Sequence, residues 1–200
     1  VPAELKIAEG VTRPLGPVPA TWYAQGTNGM VYLQAILDLP ALDADELDLL
    51  PLLCACLSEV GSAGRDYRAT QARQAAVTGG LSARANVRGG VDDVRQVKGV
   101  LVVAGKALAR NQAALAELLW QTLSEPRFDE LPRLRELVAQ LRAQREEGIT
   151  DHGHLLALAA ATAGLSPVAA LNQRWEGLEG LQRLKALDDT LDAAGALAAF

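Results

Sequence analysis

Leu81-Ser82-Ala83-Arg84-Ala85-Asn86-Val87-Arg88 decides the fold. Leu81, Ala83, Ala85 and Val87 point one way, and Ser82, Arg84, Asn86 and Arg88 point the other. This is a strand with one buried and one wet face. Gly89-Gly90-Val91-Asp92-Asp93 makes a turn, and residues 97–108 form a second strand, rich in valine and apolar on both faces. So short a connection predicts an antiparallel pair.

Upstream, residues 21–25 and 29–38 also read as strands. In the second, Val31, Leu33, Ala35 and Leu37 alternate with Met30, Tyr32 and Ile36, so it too is apolar on both faces. Such a strand is covered on both sides. Helices of this domain should supply one cover and a neighbouring domain the other. Residues 1–20 hold Pro2, Pro14, Pro17 and Pro19 with Gly10 and Gly16, which predicts an extended linker or arm.

Between and beyond the strands the period is helical. Asp43 with Glu46 is a capping-box start. Pro51 either kinks that helix or opens a second one. A helix over 66–77 ends at Gly79-Gly80. From about residue 111 the chain is helical: Asn111 is expected to cap one helix, a long helix spans 129–147 and stops at Gly148, and an alanine-rich helix covers 151–164, capped by Thr150 or Asp151. Ser166-Pro167 opens another, and a last helix runs over 176–194. Strands and helices are segregated rather than alternating. The expected fold is therefore α+β: a two-layer domain over 21–200, a largely antiparallel sheet backed by helices, with an extra C-terminal helical segment.

Composition narrows the function. The chain has 200 residues, half of them apolar, and a net charge of −5. Nucleic acid needs a basic footprint, so it is not an expected partner. No apolar run of ~18 residues marks a membrane span. The N-terminus has neither the basic start nor the apolar core of a signal peptide. Arginine outnumbers lysine and nothing resembles an organellar transit segment, which favours bacterial cytoplasm over an organellar matrix. Cys54 and Cys56, two apart on a helix, point to opposite sides and cannot pair with each other, so they read as small buried thiols.

Few residues offer chemistry. His152 and His154 lack the i, i+4 spacing of helical zinc ligands, and no H-x-x-E-H occurs, so no metal ligand is expected. No G-x-S-x-G or phosphate-binding loop occurs either. Asp188-Asp189 and Glu146-Glu147 read as solvated helix faces. No catalytic residue is expected. The residues that stand out are Ser82, Arg84, Asn86 and Arg88, the polar face of the cleanest strand.

One series of segments goes further. Thr27-Asn28-Gly29 before a strand, Pro51-Leu52-Leu53-Cys54, Gly64-Arg65-Asp66-Tyr67, Thr78-Gly79-Gly80-Leu81-Ser82-Ala83, Gly153-His154-Leu155 and Leu165-Ser166-Pro167 follow in order. Together they resemble the pitrilysin/insulinase family of zinc metallopeptidases, presequence-protease subgroup, at the first, non-catalytic domain of the C-terminal half. The resemblance implies a clamshell enzyme that encloses unstructured peptides, with zinc in its first domain and none in this chain. It implies that this domain forms part of the chamber wall, docks other domains of the same peptidase, and is not catalytic alone. It also implies a chamber-facing role for Ser82, Arg84, Asn86 and Arg88. The competing expectations are a free-standing pseudo-peptidase scaffold, or an unrelated interaction domain with parallel strands or helices on both sheet faces.

Overall fold

A computed structural model describes residues 8–191. Its strands are β1 (Gly10–Leu15), β2 (Val18–Tyr23), β3 (Met30–Asp38), β4 (Gly61–Ser62), β5 (Leu81–Gly89), β6 (Val97–Leu108) and β7 (Pro126–Arg127). Its helices are α1 (Ala44–Leu57), α2 (Tyr67–Val77), α3 (Gln112–Ser124), α4 (Leu131–Asp151), α5 (Gly153–Thr162), α6 (Pro167–Glu176) and α7 (Leu178–Leu191). The central sheet runs β3-β6-β5, antiparallel throughout. Helices cover one face of it. The α+β reading holds, with antiparallel strands and one helical layer against the sheet.

Two apolar clusters hold the layers. In the first, Val103 and Ala107 of β6 meet Leu57 of α1 and Leu115 and Leu119 of α3. Gly105 makes this approach possible: a Cβ there would stand 2.7 Å from both Leu115 Cδ1 and Leu81 Cδ2. In the second, Leu52, Cys56 and Val60 meet Leu134, Leu137 and Val138 of α4 and Leu184 and Leu191 of α7. The two cysteines diverge as their spacing requires. Cys56 enters the second cluster, whereas Cys54 meets the backbone of Ala85 on β5.

Local chemistry explains most boundaries. The Asp43 carboxylate accepts from the backbone of Asp45 and Glu46, and the Glu46 carboxylate in turn accepts from Asp43 N at 2.8 Å. Pro51 sits inside α1, which stays one helix. Having no N–H, Pro51 leaves the Leu47 carbonyl without a helical donor. The Trp175 indole N–H of α6 fills that vacancy at 2.8 Å. Ser166 caps α6 by accepting from Ala169 N. The G-R-D-Y segment is a structural clasp. Glu130 accepts from Gly61 N at 2.7 Å and from Tyr67 N at 3.1 Å, and the Arg133 guanidinium lies 4.6 Å from the centre of the Tyr67 ring.

Several expectations are corrected. Part of the stretch read as an arm, with the segment read as a strand over 21–25, forms the antiparallel hairpin β1-β2, nearly every residue of which is exposed. Asn111 makes no capping bond. It lies in a short 3-10 turn, and its amide donates to Val77 O at 3.0 Å, tying the end of α2. Gly148 does not stop α4, because one interior glycine costs only about 1 kcal/mol. Neither Thr150 nor Asp151 caps α5: His152 occupies the cap position without a side-chain bond. The last helix begins at Leu178, and its expected end at 194 lies outside the described residues. Asp188 is not a solvated acid. It is buried, and its carboxylate accepts from Arg135 and Arg142 of α4, the latter at 2.8 Å. Charged stripes on α4 and α7 meet each other rather than water.

Candidate functional site

The face of the sheet away from the helices is open. The register puts Ile36 of β3, Val102 of β6 and Arg84 of β5 in one row across it. The next rows are Gln34, Ala104 and Ser82, and then Asp38, Val100 and Asn86. Tyr32 with Lys106 and Lys98 with Arg88 extend it at the two ends. Tyr32 is 62% exposed and Ile36 63%, which no isolated sheet core would leave so.

Two depressions divide this face. The larger, about 640 Å³, is lined by Gln34, Ile36, Arg84, Asn86, Arg88, Val100 and Val102, and the β5-β6 turn rises beside it. The smaller, about 310 Å³, is lined by Tyr32, Gln34, Ser82, Ala104 and Lys106. Thus Arg84, Asn86 and Arg88 gather in one groove and Ser82 lies in the neighbouring one. The alternation along β5 identified these four. The partners from β3 and β6 were not singled out as site residues. Their signal was present as strands apolar on both faces, but which side chains share a row depends on register.

The electrostatics of the face oppose those of the chain. Arg84, Arg88, Lys98 and Lys106 stand on it against one acid, Asp38, although the net charge is −5. Lys98 reaches Asp38 at 3.4 Å, with both side chains about three-quarters exposed, so the pair contributes little. Arg88 Nε donates to Asn86 Oδ1 at 3.3 Å. Arg84 has no ion-pair or hydrogen-bond partner among the described residues. Its five donors are available to carboxylates and carbonyls.

The sheet edges differ sharply. Lys106 N donates to Gly80 O and Gly90 N to Gln96 O, so even-numbered residues of β5 bond to β6 and odd ones turn outward. That outward edge faces α1, where the backbone of Ala85 hydrogen-bonds to Cys54. A peptide strand therefore cannot add along β5; only the side-chain face there is open. Burial pushes both thiols up, Cys56 to about 11, which makes them poor nucleophiles at neutral pH.

His152 lies at the break between α4 and α5, away from the open face. Among the described residues, no group of three or more His, Cys, Asp or Glu is arranged to hold a metal. No helix among them is long and apolar enough to cross a membrane.

Comparison with known proteins places this geometry. The family of domains associated with peptidases of family M16, subfamily C, matches residues 1–187. The chain belongs to this peptidase-associated family. Curated relatives agree: it is 30% identical over 182 residues to the mitochondrial presequence protease of Danio rerio, covering 91% of this chain and 18% of that protein. Against the mitochondrial presequence protease of Mus musculus it is 29% identical over 178 residues, covering 88% and 17%. Against presequence protease 1, chloroplastic/mitochondrial, of Arabidopsis thaliana it is 29% identical over 171 residues, covering 83% and 15%. The chain spans less than a fifth of the length of these relatives. In this peptidase-associated domain the resembling segments serve as caps, turns and the Glu130 clasp.

Proposed function

We propose that this chain is a non-catalytic domain of a zinc-dependent peptide-degrading metallopeptidase. It forms part of the wall of the substrate chamber and docks other domains of the same polypeptide. The observation that carries this reading is an unpacked sheet face, cationic and apolar together, in a chain that covers 18% of a presequence protease. Zinc and the hydrolytic groups belong to the rest of the enzyme, and no step of hydrolysis is assigned to residues here. The compartment is a reducing one, consistent with two buried free thiols. The relatives' names favour an organellar matrix over bacterial cytoplasm.

On this reading Arg84 and Arg88 hold peptide carbonyls and carboxylates through charge-assisted hydrogen bonds. Asn86 orients Arg88, and Ser82 lines the adjoining depression. Ile36, Val100 and Val102 receive apolar side chains. Transit peptides are Arg-rich and poor in acids. The four cations therefore favour the acidic or neutral parts and the C-terminal carboxylate of an unstructured peptide, and repel its basic part.

The test is peptide binding and cleavage by the complete enzyme carrying Arg84→Ala with Arg88→Ala. Affinity for an acidic or neutral peptide should fall about tenfold, the worth of one charge-assisted bond. A strongly basic peptide should lose less. Unchanged kinetics with both peptides would remove these residues from the chamber. A reading frame with no H-x-x-E-H would instead favour a free-standing scaffold.

A further inference from the structure

The outer edge of β3 is unlike that of β5. Ala109 N donates to Gly29 O at 2.9 Å and Leu39 N to Gly99 O at 3.0 Å, so odd-numbered residues of β3 bond to β6. The N–H and C=O groups of Tyr32, Gln34, Ile36 and Asp38 therefore turn away from the sheet. Among the described residues none of these groups has a hydrogen-bond partner. Met30 is satisfied separately by the Thr27 turn.

The side chains add a second observation. Tyr32 and Ile36 are exposed on the open face, and Leu33 and Leu37 are 37% and 41% exposed on the helical face. A strand apolar on both sides belongs inside a sheet. Met30–Asp38 has no proline or lysine, and its one charge lies at the end. It thus lacks the devices that protect a bare edge from pairing.

We infer that the free edge of β3 receives a β-strand from another segment of the same polypeptide, extending the sheet to at least four strands. This rests on the reading of the chain as one domain of a larger peptidase. The relatives, of which this chain covers less than a fifth, have ample chain to supply it. The occupant must be apolar on both of its own faces, one side lying beside Tyr32 and Ile36 and the other beside Leu33 and Leu37. A fixed segment of the protein meets that demand. Substrate peptides of varied sequence do not, and the edge offers them no charge to read.

Residue-resolved hydrogen exchange on the full-length, peptide-free monomer tests this. Amides of Tyr32, Gln34 and Ile36 should exchange on the order of 100-fold slower than unstructured chain, as Leu33 and Ala35 do. Free exchange at those three beside protected Leu33 and Ala35 would overturn the inference. Protection that needs added peptide would make substrate the occupant, and protection that needs high protein concentration would make it a second copy; either also overturns it. Gln34→Pro gives an independent check. It removes an outward N–H that β6 does not use, so a bare edge tolerates it, whereas a paired edge should lower the melting temperature of the full-length protein. An unprotected edge alongside weakened peptide binding in the Arg84/Arg88 variant would leave the chamber-wall reading standing.

Discussion

The two faces of the β3-β6-β5 sheet carry similar valines and leucines and have opposite fates. On one face Val103 is fully buried under Leu115 and Leu119. On the other, Ile36 and Tyr32 remain mostly exposed among four cations. The same contrast recurs at the edges, since α1 seals β5 while nothing described seals β3. Exposure of apolar surface on this scale marks an interaction site rather than an ordinary surface. The difference separates what this domain uses to stand from what it offers to its surroundings.

Substitutions on the two faces should therefore differ most in stability. Leu115→Ala, beneath Gly105, should cost about 4 kcal/mol in denaturant unfolding, the upper part of the usual range for a buried leucine. A loss below about 1 kcal/mol would mean that the helical layer is not the core. Asp188→Ala leaves Arg135 and Arg142 without their buried partner and should cost about 3 kcal/mol, less if water reaches the arginines. Equal stability would return Asp188 to the solvated face that its neighbour Asp189 occupies.

Cys56 gives a smaller effect with a defined sign. Its thiol titrates at about 11 in the fold against 9.0 when unperturbed, chiefly because burial disfavours the thiolate. Between these values the unfolded chain has released a proton that the native chain still holds. Stability is therefore fully present below pH 9 and falls as the pH rises towards 11, by on the order of 2 kcal/mol. Cys56→Ala should remove that slope, and urea unfolding at several alkaline pH values reads it. At the small end, the Arg84/Arg88 double variant should change stability by less than about 0.5 kcal/mol while its peptide affinity falls. A large stability loss there would make the open face structural.

Much of this was legible in the chain. The alternation over 81–88 identifies β5 and its polar face, because a strand's side-chain period of two is a local property. The Asp43–Glu46 box and Ser166-Pro167 place helix starts, because capping depends on neighbours three residues apart. Local signals failed where a distant partner decided the outcome. Asn111 looks like a cap until Val77 takes its amide. Asp188 looks solvated until α7 lies on α4. Prolines 14, 17 and 19 suggest an open arm, yet residues 10–23 close into a hairpin around a turn at Gly16.

By itself, the sequence determined the element types, the two-faced apolar character of β3 and β6, the divergence of the cysteines and the resemblance to presequence proteases. Each of these is carried by spacing within a few residues, or by an ordered series of short segments. Only the tertiary structure decided which face of the sheet the helices cover, that Cys54 and α1 seal one edge, and that Arg84 stands in a row with Val102 and Ile36. Register, layer order and edge closure are set by contacts between residues tens of positions apart, and no local period encodes them.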